Sequence, residues 1–356
     1  MTNEEMYSGK NIHAQNKTIL KNAIPLSIPL CVSIEPSNLC NFKCVMCFHG
    51  NNELDPKAKP LKNMDMDVFN KILSDIKAWV GEAGKKIKLI KLYSLGEPLL
   101  NPHICDMVNM IKKSDVCEKI EITTNGSLLT YDTAQKLVDY GLDILRLSVY
   151  AVDADKMRQV TQSDVSPDKV YENLRYLKQY RDAVGRAFPR IYAKMLDTNN
   201  SGENARFKKV YGTVADEVGI DIVHEINLGE GNSAFERLYK KEAENVHEAA
   251  LSTDTTDTSK RRPCRYPFSH LTIRNDGTVI MCCADWIKEL QIGNVMEHSL
   301  HELWTSKSMY KIRCDMLATK GMKWETCRHC EIPFRDAPED DVSEVSTDKL
   351  SYENEF

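Results

Sequence analysis

Three cysteines stand at Cys-x3-Cys-x2-Cys spacing in Cys40-Asn41-Phe42-Lys43-Cys44-Val45-Met46-Cys47. Soft thiolates suit iron–sulfur clusters or zinc. Three is one short of the four that a closed structural site uses. An iron left without a protein ligand is an open position, and open positions are where metal chemistry happens. A zinc knuckle would need a fourth Cys or His nearby. His49 is the only neighbour, and it is cramped only two residues after Cys47. A second set of thiols lies far down the chain. Cys264 and Cys282 bracket two apolar runs, Leu271 to Arg274 and Thr278 to Met281, joined by Asn275-Asp276-Gly277. That is a β-hairpin pattern, which would bring both cysteines towards one end. Cys327-Arg328-His329-Cys330 adds a pair whose spacing lets both thiolates reach one metal. Four thiolates complete a closed site, for which structural zinc and [4Fe-4S] are both open.

The chain is 356 residues long, enough for one large domain and a smaller one. Lys plus Arg number 47 against 52 Asp plus Glu, a net charge of −5. No basic excess points to a nucleic-acid surface. The N-terminus has no basic segment followed by a long apolar core, so no signal peptide is expected. The apolar stretch Ala23 to Ile34 is short and broken by Pro25 and Pro29, so no membrane span is expected. Twelve cysteines then read as metal ligands rather than disulfides, in a cytoplasmic protein.

The elements that must position these thiols alternate. Residues 1–29 are a polar lead-in. Strands are expected at Leu30 to Glu35, Lys88 to Ser94, Lys119 to Thr123, Ile144 to Val149, Arg190 to Met195 and Asp221 to Glu225. Helices are expected at Met66 to Ala83 behind an Asp65 cap, at Asn101 to Lys113, and from a Thr130 cap to Gly141. Two more are expected around Asp168 to Val184 and at Glu203 to Val218. Six strand–helix units predict a parallel sheet covered by helices, too few to close an eight-stranded barrel. Sites in such sheets lie at the C-terminal ends of the strands. Residues 30–228 make this unit and 229–262 a polar linker. Residues 263–335 make the second domain, and 336–356 an acidic tail expected to be disordered.

Cys40, Cys44 and Cys47 resemble the signature of the radical S-adenosylmethionine (radical SAM) enzymes, with Met46 where the family often has an aromatic residue. The resemblance implies an α/β fold, a partial (β/α)6 TIM-like barrel. It implies that the three thiolates hold a [4Fe-4S] cluster whose fourth iron is chelated by the amino and carboxylate groups of SAM. Cleavage of SAM would give methionine and a 5′-deoxyadenosyl radical, which takes a hydrogen atom from substrate. Gly96-Glu97-Pro98 follows Leu95 and resembles the family's Gly-Gly-Glu-Pro motif, which binds the SAM amino group. Asn125, in Thr123-Thr124-Asn125-Gly126, matches the strand-end segment beside SAM. Ser148 lies where members present a hydroxyl to SAM, and Lys194 where a cation would meet its carboxylate. Read alone, the two glycine segments are ordinary turns, and strand-end Ser and Lys are usually solvated.

Cys264, Gly277, Cys282, Ile292-Gly293-Asn294-Val295, Leu303-Trp304 and the pair Cys327 and Cys330 resemble the SPASM/twitch extension, a β-hairpin plus helix that holds auxiliary [4Fe-4S] clusters. No cysteine follows Cys330, so a shortened, twitch-like form with one auxiliary cluster is implied. The substrate is not written in these motifs. The first reading is oxidation of a carbohydrate or aminocyclitol alcohol, with the auxiliary cluster accepting the second electron. A reductant such as flavodoxin or ferredoxin would be the partner. Alternatives are crosslinking or epimerisation of a ribosomally made peptide, epimerisation of a sugar or aminocyclitol, and an iron–sulfur or zinc scaffold without turnover. The 29 polar residues before the first strand are too few for a leader-peptide domain, which weakens the peptide reading. Cys283, beside Cys282, is the candidate catalytic hydrogen-atom donor, with Cys314 as a second; a structural thiol is the default for both. Cys31, Cys105 and Cys117 are expected in the core.

Overall fold

The computed structural model describes residues 18–47, 60–221, 258–328, 330–335 and 337–356. A short helix, α1 (Leu20–Ala23), leads into alternating strands and helices. These are β1 (Cys31–Ile34), α2 (Met66–Ala83), β2 (Ile87–Leu92), α3 (Ile104–Ser114), β3 (Cys117–Thr124) and α4 (Tyr131–Asp139). Then come β4 (Ile144–Val149), α5 (Ala154–Thr161), α6 (Pro167–Ala183), β5 (Arg190–Leu196), α7 (Ser201–Tyr211) and β6 (Glu217–Asp221). The C-terminal part adds α8 (Tyr266–Ser269), β7 (His270–Ile273), β8 (Thr278–Ile280), β9 (Gln291–Asn294), α9 (Leu300–Trp304), α10 (Lys307–Thr319), α11 (Glu325–Arg328) and α12 (Ile332–Arg335). Strands β1 to β6 are parallel in sequence order, an open partial (β/α)6 barrel.

Successive side chains of a strand point to opposite faces. The outward set here is apolar: Val32, Ile34, Ile90, Leu92, Ile120, Ile122, Leu145, Leu147, Ile191 and Ala193 are all fully buried. They pack with Ile72, Val108, Leu137, Leu174 and Phe207 of the helices. The inward set reads Ser33, Lys91, Glu121, Arg146, Tyr192 and Lys194. A barrel interior of the ordinary kind is filled by Val, Ile and Leu. This one carries charged residues among apolar ones such as Leu89 and Ile144, a departure from a purely apolar core.

Helix starts follow their caps. Thr130 and Ser166 accept the N–H groups of Thr133 and Lys169, and Pro167 opens α6. Asp65 occupies the N-cap position of α2 without a side-chain cap bond; its carboxylate pairs with Lys62 at 3.0 Å. Strand β6 starts four residues before the expected sixth strand, and α7 ends at Tyr211, not Val218. The inward Glu217 and Asp221 blur the apolar pattern of that strand. Residues 222–225 lie outside the described residues, as do 1–17 of the lead-in and 229–257 of the linker.

The C-terminal hairpin does not stand apart. β7 pairs in parallel with β1, Cys31 opposite His270 and Ile34 opposite Ile273, and β8 and β9 extend the same sheet. The acidic tail is not disordered. Val342 and Val345 are buried, Arg265 pairs with Asp340, and Lys307 pairs with Glu355 at 2.7 Å. Its acidic residues find basic partners on the body of the protein, and two valines anchor it.

One buried ion pair joins the two halves. Glu35 ends β1 and is 0 % exposed; Arg274 ends β7 and is 1 % exposed, 3.4 Å away. Glu35 also accepts the N–H groups of Leu95, after β2, and Asn275, in the hairpin turn. Removing one partner strands a buried charge, so Arg274→Met is expected to cost about 3–5 kcal/mol in anaerobic urea unfolding. Glu35→Gln with Arg274→Met together should cost less than the sum of the single changes. Strict additivity would show that the two do not act as a pair.

Candidate functional site

The Cys40–Cys47 loop leaves the C-terminal end of β1 and is held from three sides. Lys43 and Val45 donate their N–H groups to the carbonyls of Thr161 and Val160 at the end of α5. Phe42 is buried edge-on against Tyr150, ring centroids 5.7 Å apart. Asn41 donates to Ser127 Oγ at 2.8 Å and accepts from Asn125 Nδ2 at 3.0 Å. Glu97 N–H donates to Leu39 O at 2.7 Å, so the second strand's loop lies against the cysteine loop. Gly96 makes that approach possible. A Cβ there would sit 2.3 Å from Leu39 O and 2.5 Å from Ser37 O.

These loops enclose a cavity of about 700 Å³ at the C-terminal strand ends. Cys40, Cys44 and Cys47 line it together with Gly96, Glu97, Asn125, Ser148 and Lys194. The structure thus gathers in one cavity the thiols and every residue that the resemblance assigns to SAM except Pro98, which is buried behind it. Glu97 is buried and accepts from Leu99 N–H at 3.1 Å, Thr124 Oγ at 2.6 Å and Asn125 N–H at 2.8 Å. Burial pushes its carboxyl up to about 7 against those three bonds. A carboxylate offers about four acceptor sites, so one remains for a ligand. Lys194 is held by Asp221 at 2.9 Å, and both line the cavity.

The three thiols suit a cluster. Cys44 is pushed well up first by burial, then by Cys47 and Cys40, and Cys40 rises to about 11, again first by burial. A bound metal would hold these sulfurs as thiolates, because a coordinating thiol is deprotonated. Among the described residues no three Cys, His, Asp or Glu side chains converge as they would on a single metal ion. A four-iron cube bonds each thiolate through a different iron, so its ligands stand further apart.

The second thiol set lies at the opposite end of the sheet. Cys264 precedes β7 and Cys282 follows β8, and both flank the Cys31 end of β1. Cys330 N–H donates to Cys327 O, closing the final Cys-x2-Cys turn. Asp285 ties the two segments by accepting from Leu290 N–H at 2.8 Å and Thr326 Oγ at 2.9 Å. Arg261 is 2 % exposed. Its guanidinium donates to the carbonyls of Lys320, Cys327 and Cys330 and faces the ring of Phe334. It places a buried positive charge beside Cys330, Cys327 and Cys264. Cys283 lies at this end, in the field of Lys91, and does not line the cavity. Its thiol is brought down to about 7, first by a hydrogen bond with Cys282. Cys314 bonds Tyr310 on α10, a structural contact. Cys31 and Cys105 are buried, Cys117 is half-buried, and all twelve cysteines are free thiols.

Several of these residues escaped the sequence reading. Helix α5 was not expected, although an Asp153 cap and the spacing of Met157, Val160 and Thr161 announce it. It supplies Lys156, Gln159 and Val160 to the cavity. Lys91, Glu121 and Arg146 gave a signal too, as charged residues inside strands flanked on the other face by buried apolar residues such as Ile90, Ile122 and Leu145.

Comparison with known proteins bears on all of this. Residues 34–186 match the radical SAM superfamily, and 264–331 the SPASM iron–sulfur cluster-binding domain. A Pyrococcus furiosus protein described as a tungsten-containing aldehyde ferredoxin oxidoreductase cofactor-modifying protein is 26 % identical over 332 residues, covering 85 % of this chain and 87 % of that one. A probable GTP 3′,8-cyclase of Metallosphaera sedula is 30 % identical over 202 residues, 56 % of each chain. Among solved structures, Streptococcus suis SuiB bound to S-adenosylmethionine superposes with a TM-score of 0.59 at 19 % identity, covering 94 % of this chain and 78 % of that one. BtrN in complex with AdoMet and 2-DOIA gives 0.52 at 14 % identity, covering 90 % and 98 %. These structures share the fold. The two matched domains bring SAM, a SAM-binding [4Fe-4S] cluster and auxiliary iron–sulfur binding as cofactors.

Because the atoms that crowd Gly96 are backbone, Gly96→Ala must displace the cysteine loop, at about 1–3 kcal/mol. Iron per chain after anaerobic reconstitution should fall towards the auxiliary share alone. Gly81→Ala, on the exposed face of α2 with nothing within 4 Å, should keep full iron and gain slightly in stability. Full iron in Gly96→Ala would show that the close approach does not set the loop.

Proposed function

We propose that this chain, which belongs to the radical SAM superfamily and carries a C-terminal SPASM iron–sulfur domain, is an oxidoreductase acting on a polar small molecule. The observation that carries the reading is the chamber. It is lined by three thiols at one end and by the hydroxyls of Tyr93, Thr123 and Ser148 set among apolar side chains, in a barrel whose inward residues include Lys91, Glu121, Arg146 and Lys194. When bound, SAM and its cluster supply a radical that takes a hydrogen atom from an unactivated C–H bond, and one auxiliary cluster supplies a one-electron acceptor. Cys40, Cys44 and Cys47 would hold the first cluster; Cys264, Cys282, Cys327 and Cys330 would hold the second.

Glu97 would take the SAM ammonium on its remaining acceptor site, between Asn125 and Ser148. Lys194, shared with Asp221, would meet the carboxylate. The hydroxyls of Tyr93, Thr123 and Ser148 suit a substrate rich in hydroxyl groups, as a carbohydrate or aminocyclitol is. Asp221 lines the same chamber and would accept the hydroxyl proton as the alcohol radical gives its electron to the auxiliary cluster. Twelve free thiols suit a cytoplasmic protein, and no described helix is long and apolar enough to cross a membrane. A flavodoxin or ferredoxin would deliver electrons. The likeness to a cofactor-modifying protein along most of both chains supports a second reading, in which the substrate is an organic cofactor. Peptide modification has in its favour the fold shared with SuiB bound to its precursor peptide and with anSMEcpe bound to a peptide.

Anaerobic turnover with SAM, a strong one-electron reductant and candidate polyols in deuterated water tests the reaction. Mass spectrometry should find a product lighter than substrate by two hydrogens, with one substrate hydrogen in 5′-deoxyadenosine. A product one mass unit heavier than substrate, with solvent deuterium at the reacting carbon and abolished by Cys283→Ala, would establish epimerisation instead. Turnover confined to a peptide would overturn the small-molecule reading.

A further inference from the structure

We propose that Arg146 and Lys91 form a subsite for an anionic group of the substrate, a carboxylate or a phosphate, on the inner face of the barrel between the two thiol sets. The proposal deepens the small-molecule reading above and rests on it for the word substrate. Arg146 on β4 and Lys91 on β2 stand either side of Glu121 on β3, at 3.9 and 4.0 Å, ion-pair range but beyond hydrogen-bond distance. Two cations share one carboxylate, so one positive charge is left over. The neighbouring inward charges are already matched, Lys194 with Asp221 and Arg274 with Glu35. Glu217 stands a strand further off, beyond Tyr192.

Both cations keep surface that opens inward. Their side chains are 21 % and 19 % exposed, although they sit on central strands whose outer faces are sealed by Ile90, Leu92, Leu145 and Leu147. The guanidinium of Arg146 faces the Tyr192 ring at 5.3 Å, which orients its plane. Its Nε is buried without a hydrogen-bond partner, and so is Oγ1 of Thr123, its register partner on β3. A buried donor without a partner is costly, and a bound oxyanion would satisfy it. The subsite lies directly beneath the cavity. Tyr93 and Ser148, two residues or about 7 Å further along β2 and β4, line the cavity wall, as does Thr123 at the level of Arg146, so the subsite borders the cavity floor. None of the residues that the resemblance assigns to SAM belongs to this layer.

The test is calorimetric titration of the reconstituted protein, saturated with SAM so that the SAM carboxylate site is filled. Inorganic phosphate and acetate are titrated separately. At least one should bind, phosphate the tighter for a phosphate ester and acetate the tighter for a carboxylate. Arg146→Gln and Lys91→Gln should each weaken binding by roughly tenfold or more. Arg146→Lys, which keeps the charge and loses the fork, should retain part of it. Lys113→Gln, an exposed cation on α3, should leave it unchanged. If Arg146→Gln does not fold, Lys91→Gln and Arg146→Lys decide. Failure of both anions to bind the parent protein, or affinity that survives the loss of either cation, overturns the proposal. SAM cleavage by the parent is measured in the same preparation. Its absence would overturn the radical SAM reading while leaving the anion result to stand by itself.

Discussion

The structure depends on what β-strand periodicity does to seven parallel strands. The outward residues at the centre of the strands are apolar and sealed under helices, which frees the inward residues there from duty in that core. Charges placed inside a barrel are tolerated only when paired. Glu35 with Arg274 and Lys194 with Asp221 meet that condition, and Lys91 and Arg146 meet it only in part by sharing Glu121. The first pair also fixes β7 beside β1. That placement puts the auxiliary thiols at one end of the lumen and the three-cysteine loop at the other. Catalytic geometry and sheet assembly are therefore one problem, solved by the same buried carboxylate at the end of β1.

Much of this was legible in the residues. The bounds of α2 and β4 follow from their apolar periods, and the thiol spacings mark two separate metal-binding segments. The gathering of Gly96, Glu97, Asn125 and Ser148 with the thiols was also readable, because each sits at or near the C-terminal end of a predicted strand. What escaped was long-range or masked. The parallel pairing of β1 with β7 joins segments some 240 residues apart, and nothing local encodes it. The tail was read by its acidic composition, and the partners that order it, Arg265 and Lys307, are distant in sequence. Helix α5 is short and polar outside Met157, Val160 and Thr161, so its period was faint.

Glu97 shows why motif and geometry have to be read together. In sequence it is a carboxylate available for an ammonium. In the structure most of its acceptor capacity is spent on Leu99, Thr124 and Asn125, so the same side chain builds the pocket and leaves one site free. Asn125 and Asn41 do likewise, each holding the other's loop. The site is preorganised by the groups that would touch the ligand.

The central claim is that two iron–sulfur clusters face one polar lumen and that only one of them meets SAM. Low-temperature electron paramagnetic resonance of the reconstituted, one-electron-reduced protein tests this most directly. Two [4Fe-4S]⁺ signals are predicted, one of which moves on addition of SAM. With Cys40, Cys44 and Cys47 replaced by Ala, only the unmoved signal should remain. A single signal in the parent protein, or a response to SAM that survives the loss of those three cysteines, would contradict the account.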